Sequence, residues 1–359
     1  MKIAIGSKII KGPWGGGNLF SKNLKVYLEN NNINVVNHLI ENNIDIILLT
    51  EPRIESSSST ITILEALMYK KFVNKNVKII HRINECDERK ETKFVNKKMI
   101  KISRRSDFTI YVSQWLKDIY EKQNINIKNS KIIMSGSDGD IFNSNNKKHW
   151  DRSNKLKIIT HHWGNNWNKG FDIYSYLDKL LENPEFKEKF EFTYIGNLPE
   201  NFKFNNSIYK KPMNDTEIST ELRLNDLYIT GSLNEPSGNH QIEASMCGLP
   251  VMYINSGGIS DYQKDYGIEY DINNFTEKLL EIYRNYDIYF EKNSHFPFNA
   301  NSMCKEYLNI FKKVYVKLDK KRYSLFFNIY KFLYNFKIIE KYKNLVAFCI
   351  YQIRKFQND

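Results

Sequence analysis

Two glutamates in one short stretch are the residues of this sequence best placed for chemistry. Glu235 and Glu243 lie eight positions apart in 234-NEPSGNHQIEASMCGLPV-251. The preceding DLYITGS is typical of a buried strand, SLNEPSG of a loop, and HQIEASMCG of a helix that ends at Gly248. Glu235 then falls in the loop and Glu243 about one turn into the helix. We therefore expect both carboxylates at one strand–helix junction.

Such a junction suits a ligand that carries both phosphates and hydroxyl groups. Backbone N–H groups at Ser237, Gly238 and Asn239 could bind a diphosphate at the helix N-terminus. A carboxylate on either side could accept from hydroxyl groups through charge-assisted hydrogen bonds. The plain alternative for two glutamates is the solvated face of a helix.

A glycine-rich loop near the N-terminus is a second candidate for ligand binding. In 12-GPWGGGNLFSKNLKVYL-28, Gly15, Gly16 and Gly17 lie between a predicted strand and an amphipathic helix, where the backbone can approach a ligand closely. The loop does not match G-x-G-x-x-G, which disfavours a Rossmann dehydrogenase. A tight strand–helix turn is the alternative.

A lysine-containing loop, 160-THHWGNNWNKGFDIY-174, is the third candidate. Lys169 and Gly170 precede a predicted helix, a position where a lysine can contact phosphate with support from the helix dipole. The adjacent His161 and His162 lack an acidic or Cys partner at ligand spacing, so we predict no metal there. Asp138-Gly139-Asp140 is interpreted as a turn.

Strand-like and helix-like segments alternate along most of the chain. This pattern predicts an α/β fold with two doubly wound domains that face a cleft, at residues 1–150 and 151–290, followed by a basic helical tail at 291–359. A polar, Asn- and Lys-rich break at 143–154 marks the first boundary. The predicted strands lie in segments 2–10, 45–50, 77–83, 107–113, 131–136, 155–162, 191–196, 226–232 and 249–255.

Composition favours a cytoplasmic protein. Of the 359 residues, 41% are hydrophobic, yet no apolar stretch reaches the ~18 residues of a membrane span. The N-terminus is too soon interrupted by Lys and Gly-Pro to be a signal peptide. The four cysteines are widely spaced without CxxC, which predicts neither a zinc site nor disulfides.

The net charge of +12 is concentrated in the tail, since residues 311–359 hold twelve Lys and Arg against three Asp and Glu. Aromatic residues and lysines alternate there with near-helical spacing. The segment either packs as C-terminal helices or lies peripherally on the anionic inner face of a membrane. No nucleic-acid recognition module accompanies the charge, so nucleic acid is not a predicted partner.

The motif E-P-S-G-x-x-x-x-E-A-x-x-C-G-L-P-V resembles the E-x7-E signature of retaining nucleotide-sugar glycosyltransferases of the GT-B fold, glycosyltransferase family 4 in particular. The resemblance covers roughly residues 1–290 and extends to GSDGDIF (136–142) and SGGISD (256–261). It implies a first, acceptor-binding Rossmann-like domain and a second that binds a nucleotide sugar. It also implies transfer of a sugar to a glycan or lipid-linked acceptor in surface polysaccharide or glycoconjugate synthesis, with neither a metal nor a cofactor.

The resemblance implies a role for each candidate residue. Glu243 would accept from the ribose hydroxyls, Glu235 would bind hydroxyls of the transferred sugar, and Lys169 would neutralise the diphosphate. The other candidates would approach the sugar and the diphosphate through their backbone or small side chains: Gly15, Gly16, Gly17, Gly238, Asn239 and His240.

The acceptor is expected to contact the polar cluster 81-HRINECDER-89, where His81 and Asp87 are candidate catalytic residues; a structural role for the histidine is the alternative. One departure from the family matters. The family usually has an arginine five residues before the lysine, where this chain has Gly164. A nearby His or Asn could replace it, or leaving-group stabilisation could be weaker. Two rival functions therefore stay open: a nucleotide-sugar epimerase of the same fold, and a non-catalytic nucleotide- or glycan-binding protein.

Overall fold

Two parallel sheets of six strands organise the chain, as the computed structural model shows. The structure describes residues 1–10, 15–56, 58–123, 127, 129–315 and 325–358. The first sheet is built from residues 2–132 and the second from residues 156–270. Hydrophobic clusters cover both faces of each sheet. This arrangement confirms the predicted α/β class with two doubly wound domains.

The first sheet is formed by short apolar runs. Its strands are β1 (Lys2–Ile5), β2 (Asn34–Val36), β3 (Ile46–Leu49), β4 (Lys78–Ile83), β5 (Phe108–Tyr111) and β6 (Ser130–Ile132). They pair in the order β2-β1-β3-β4-β5-β6. Every residue of β3 and β5 is buried, because helices cover both faces of a parallel sheet of this kind.

Two of the helices in the first domain begin at capping residues. Thr62 forms a capping box with Glu65, and the Ser113 hydroxyl accepts from the Leu116 amide. The helices described in this domain are α1 (Gly16–Asn30), α2 (Ile63–Phe72), α3 (Asp87–Lys90), α4 (Val95–Ser103) and α5 (Gln114–Glu121).

The second sheet repeats this organisation. Its strands are β7 (Leu156–His162), β8 (Phe190–Gly196), β9 (Ile208–Lys210), β10 (Leu227–Thr230), β11 (Val251–Ile254) and β12 (Ile268–Tyr270), in the order β12-β11-β10-β7-β8-β9. A 3-10 turn, Trp167–Lys169, follows β7. The helices are α6 (Phe171–Leu180), α7 (Pro184–Lys189), α8 (Asp215–Arg223), α9 (Asn239–Met246), α10 (Ile259–Gln263), α11 (Phe275–Arg284) and α12 (Tyr286–Ser294).

The last helices return to the first domain. In α13 (Ala300–Val314), the Tyr307 ring centroid lies 5.1 Å from that of Phe20, and Phe311 is fully buried. Beyond it come α14 (Leu325–Asn335) and α15 (Ile338–Asn358). Tyr330 of α14 donates to Glu65 Oε1 at 3.2 Å, and Lys343 of α15 lies 2.8 Å from Oε2 of the same glutamate. No helix in the described ranges is both long and apolar enough to cross a membrane.

Each of the nine sequence segments predicted as strands overlaps one, whereas β2, β9 and β12 have no predicted counterpart. These three strands have three residues each and lie at sheet edges. None of the three is a continuous run of buried residues, so none gives the apolar signal of a central strand. The domain boundaries near residues 150 and 290 remain predictions.

Candidate active site

A cavity of about 310 Å³ lies between the two domains. It is at the carboxyl ends of β4, β7 and β10, the edge at which doubly wound sheets bind ligands. First-domain residues on its wall are Gly15, Gly16, Gly17, Leu19, Arg82, Asn84, Glu85 and Arg89. Those of the second domain are His161, His162, Trp163, Gly164, Asn166, Lys169, Glu235, Pro236, Ser237, Gly238, Asn239, His240 and Glu243.

Two helix N-termini meet across this cavity. α1 begins at Gly16 without a side-chain cap, and α9 begins at Asn239 directly after Gly238, whose φ is +64°. A Cβ added to Gly16 would lie 2.9 Å from Asn239 Nδ2, so a larger residue at position 16 would displace the Asn239 side chain. Because the first N–H groups of a helix lack intrahelical partners, both walls present positive dipole ends to an anion.

Lys169 and Arg89 bind the same carboxylate from opposite domains. Lys169 forms an ion pair with Oε1 of Glu235, and Arg89 Nε donates to Oε2 at 3.2 Å. Arg89 Nη1 also donates to Glu85 Oε1 at 2.6 Å. Burial alone would raise the pKa of Glu235, but the charges of Arg89 and Lys169 outweigh it and hold this pKa well below its usual range. Glu235 is therefore ionised at neutral pH.

Glu243 is held by a histidine. His161 Nε2 donates to Glu243 Oε2 at 2.9 Å, whereas Oε1 makes only a long 3.5 Å contact with Ser137 Oγ. Glu243 is 7% exposed, and this exposure is towards the cavity it lines. One carboxylate oxygen is thus fixed by the protein, and the other is available to a ligand hydroxyl.

The other cavity histidines are neutral at pH 7. Burial lowers the pKa of His240 to about 3, although the Glu235 charge opposes this shift, and its Nε2 lies 2.9 Å from Thr230 Oγ1. Burial also lowers the pKa of His162. The Nε2 atom of His162 lies 2.6 Å from the Tyr174 hydroxyl. No group of three or more His, Cys, Asp or Glu suited to a metal is found in the part of the chain that the structure describes.

The structure brings together all the sequence-predicted site residues except His81 and Asp87. His81 is fully buried, and its Nδ1 lies 2.7 Å from Ser103 Oγ, away from the cavity. Asp87 accepts from the amides of Phe94, Val95 and Asn96 and thereby caps α4. Both side chains make contacts within the first domain and neither lines the cavity, so their role as acceptor-side catalytic residues stays a prediction.

Gly164 borders the cavity beside Lys169. A Cβ at position 164 would come within 2.8 Å of Lys169 Cε. The lysine side chain therefore occupies the space where a larger residue at 164 would begin. The cations that sequence reasoning missed, Arg82 and Arg89, come instead from the first domain. Strand alternation could have indicated Arg82, which follows His81 and must point to the other face of β4.

Residues 188–301 match the family model of glycosyl transferases group 1. The matched segment contains Glu235, Gly238 and Glu243 but neither Lys169 nor the glycine-rich loop. No curated protein matches the chain.

Solved structures, two of them of glycosyltransferases, share this fold over most of the chain. One from Rickettsia africae ESF-5 has a TM-score of 0.60 and 15% identity, covering 87% of this chain and 98% of its own. HepE of Anabaena, solved with UDP, has a TM-score of 0.64 and 13% identity over 87% and 99%. The lipopolysaccharide outer core galactosyltransferase WaaB has 0.61 and 13% over 87% and 100%. Similarities at these identities establish the fold alone, and that fold is GT-B, as expected.

Proposed function

We propose that this chain is a retaining glycosyltransferase that moves a hexose-type sugar from a nucleoside-diphosphate sugar to a glycan or lipid-linked acceptor. The observation that carries the proposal is the meeting of Lys169, Glu235 and Glu243 with two helix N-termini at one cavity. The group 1 match over residues 188–301 supports it. HepE, which has the same fold, was solved with UDP-glucose.

The cavity residues divide the donor between them. Glu243 accepts from the ribose hydroxyls through Oε1, and Glu235 accepts from hydroxyls of the sugar. Lys169 and the N-termini of α1 and α9 stabilise the negative charge that develops on the departing diphosphate. Because these groups supply the positive charge, the proposed reaction needs no metal.

The reaction replaces one bond at the anomeric carbon by another. The bond from this carbon to the diphosphate oxygen breaks, and a bond to the acceptor oxygen forms on the same face. The proton of the acceptor hydroxyl passes to the departing diphosphate. Configuration at the anomeric carbon is retained, and no protein nucleophile takes part.

A binding titration tests the donor site. Wild-type protein in EDTA should bind either UDP or GDP saturably, and Lys169→Met should weaken binding about 10- to 100-fold through loss of a charge-assisted contact. Lys179→Met, at an exposed position of α6, is the matched control and should bind as wild type. If folded wild-type protein bound neither UDP nor GDP, the donor site would be refuted.

Turnover separates the proposal from its rivals. Incubation of the bound nucleotide sugar with candidate acceptors should give a glycoside whose anomeric configuration, measured by NMR, matches that of the donor. Formation of an altered nucleotide sugar without any acceptor would indicate an epimerase instead. Donor binding without turnover under every acceptor would indicate a binding protein.

The C-terminal hairpin α14–α15 is proposed to rest on an anionic membrane surface. One face of α14 packs on the first domain through Phe327, which is 5% exposed, and through Tyr330. Its opposite face exposes Leu325, Ile329 and Phe332, the turn after it exposes Phe336, and α15 exposes Ile338, Tyr342 and Leu345. Exposed lysines flank them at Lys331, Lys337 and Lys341. Apolar residues beside cations are the composition of an interfacial helix, and each such lysine adds about 1 kcal/mol at an anionic surface.

Vesicle sedimentation tests this surface. The protein should bind phosphatidylglycerol vesicles more strongly than phosphatidylcholine vesicles, and high salt should weaken the binding. Substituting both Phe332 and Phe336 with serine should reduce it, whereas Ile288→Ser, at an exposed position of α12, should not. Equal binding by the double variant and wild type would refute the role of the hairpin. In that case, a part of the protein other than the hairpin would bring the cavity to a lipid-anchored acceptor.

A further inference from the structure

Arg82, a buried arginine in the wall of the cavity, forms no ion pair with any residue that the structure describes. Arg82, next to the end of β4, is 4% exposed, and its guanidinium carbon lies 4.0 Å from the centroid of the Phe20 ring. Among the described residues, neither Nε nor Nη1 of Arg82 has a hydrogen-bond partner. An unpaired buried charge is costly, because the lost hydration is not replaced.

The carboxylates of the cavity do not supply the missing partner. Glu235 is bound by Lys169 and Arg89, Glu85 by Arg89 at 2.6 Å, and Glu243 by His161 at 2.9 Å. The cation–π contact with Phe20 offsets only part of the cost. A side chain that is kept charged, buried and unpaired at a cavity wall is arranged to bind an anion from that cavity.

The neighbouring backbone favours the same ligand. Gly15, Gly16 and Gly17 line the cavity with Arg82, at the uncapped start of α1. α1 spans 15 residues, so its N-terminus carries a positive dipole end. A guanidinium binds phosphate oxygens with two parallel donors, and it is more weakly hydrated than an ammonium group and so easier to bury.

We propose that Arg82 is an anion-binding residue of the first domain and that it binds a phosphate group together with the start of α1. The phosphate belongs to the donor diphosphate, which Arg82 holds from the wall opposite to that of Lys169. This inference rests on the proposed function, because it assumes that a nucleoside diphosphate occupies the cavity. It makes diphosphate binding depend on both domains, so the donor and the first domain hold each other in place.

Calorimetric titration of Arg82→Met with UDP, GDP and their nucleosides tests the proposal. The nucleoside diphosphate that binds wild type should bind the variant about 10- to 100-fold more weakly, since a hydrogen bond to a charged group is lost. Affinity for the nucleoside alone should not change. Arg105→Met, at an exposed position after α4, is the matched control and should behave as wild type.

Thermal unfolding supplies a second readout that does not depend on affinity. Without ligand, Arg82→Met should melt at or above the wild-type temperature, because the substitution removes an unpaired buried charge. Added nucleoside diphosphate should raise its melting temperature less than that of wild type. Arg82→Lys keeps the charge and should recover part of the affinity. A large loss of stability without ligand would show that Arg82 serves the fold and would overturn the proposal.

The remaining outcomes separate the donor from an anionic acceptor as the source of the phosphate. Inorganic pyrophosphate is titrated into protein saturated with the nucleotide. If Arg82→Met leaves nucleotide affinity intact but abolishes this second binding, the donor assignment is overturned and the phosphate is that of an acceptor. If neither changes, Arg82 binds no anion. If wild type itself binds neither UDP nor GDP, the proposed function has failed, which is a different result.

Discussion

Replacement of Glu243 by alanine should weaken nucleotide binding by the value of one hydrogen bond. Oε2 of this carboxylate is taken by His161 at 2.9 Å, and Oε1 has only the 3.5 Å contact with Ser137. One oxygen is therefore available for a ribose hydroxyl. A hydrogen bond to a charged group contributes about 1.5–3 kcal/mol, and each 1.4 kcal/mol is about tenfold in Kd. The expected loss is about 10- to 100-fold.

A double-mutant cycle with a modified ligand isolates this hydrogen bond. Wild type and Glu243→Ala are titrated with the nucleoside diphosphate that binds and with its 2′,3′-dideoxy analogue. Wild type should bind the analogue about 10- to 100-fold more weakly than the parent nucleotide. Glu243→Ala should bind the analogue less than about threefold more weakly than the parent nucleotide, because the carboxylate that contacts the ribose is already absent. Glu291→Ala, whose wild-type side chain is 76% exposed, is the control. An equal penalty for the analogue in wild type and in Glu243→Ala would refute the assignment of Glu243 to the ribose.

Three further predictions concern stability. Phe311→Ala, which empties a fully buried site between α13 and the first domain, should lower the free energy of unfolding by about 3–5 kcal/mol, measured by urea denaturation. Ile288→Ala, at a position that is 56% exposed, should lower it by less than about 0.5 kcal/mol. The pKa of Glu235 is lowered in the folded state, so its stabilisation is complete above the unfolded pKa of about 4.3 and is lost as the pH falls towards the folded pKa. The melting-temperature difference between wild type and Glu235→Gln should accordingly narrow below about pH 4.3, and a constant difference would contradict the ion-pair account. Asp87→Asn should destabilise the first domain by about 1–3 kcal/mol through its weaker cap on α4, without altering nucleotide Kd; a changed Kd would restore Asp87 to the site.

Local signals in the sequence were sufficient for the elements that carry the donor half of the site. The run before Glu235 predicts β10, and the small residues around Gly238 predict the start of α9, so both glutamates fall at the junction where the structure has them. Parallel strands buried on both faces are nearly continuous apolar runs, which are easily recognised. β2, β9 and β12 lack this signal, because none of them is a continuous run of buried residues.

Contacts between the domains could not be predicted in the same way. Arg89 and Glu235 are 146 positions apart, and their contact depends on how the two sheets face each other. A similar limit applies to β4, where alternation states that His81 and Arg82 point to opposite faces but not which face adjoins the cavity. His81 is the candidate that the sequence favours, because a histidine can transfer protons, but the structure places Arg82 at the cavity wall and buries His81.

The charges in the cavity explain why its empty form can be stable and still receive an anion. Lys169 and Arg89 both bind Glu235, and Arg89 also binds Glu85, so without a ligand these two cations and two carboxylates neutralise one another. A nucleoside-diphosphate sugar offers phosphate oxygens to Lys169 and hydroxyl groups to Glu235 at the same time. Neither side chain is therefore left unpaired when the ion pair between them is replaced by contacts with the ligand. Nε and Nη1 of Arg82 have no hydrogen-bond partner to give up among the described residues. Its charge is therefore the part of the cavity that gains most when a phosphate enters, and it belongs to the domain opposite to the one that carries the glutamate motif.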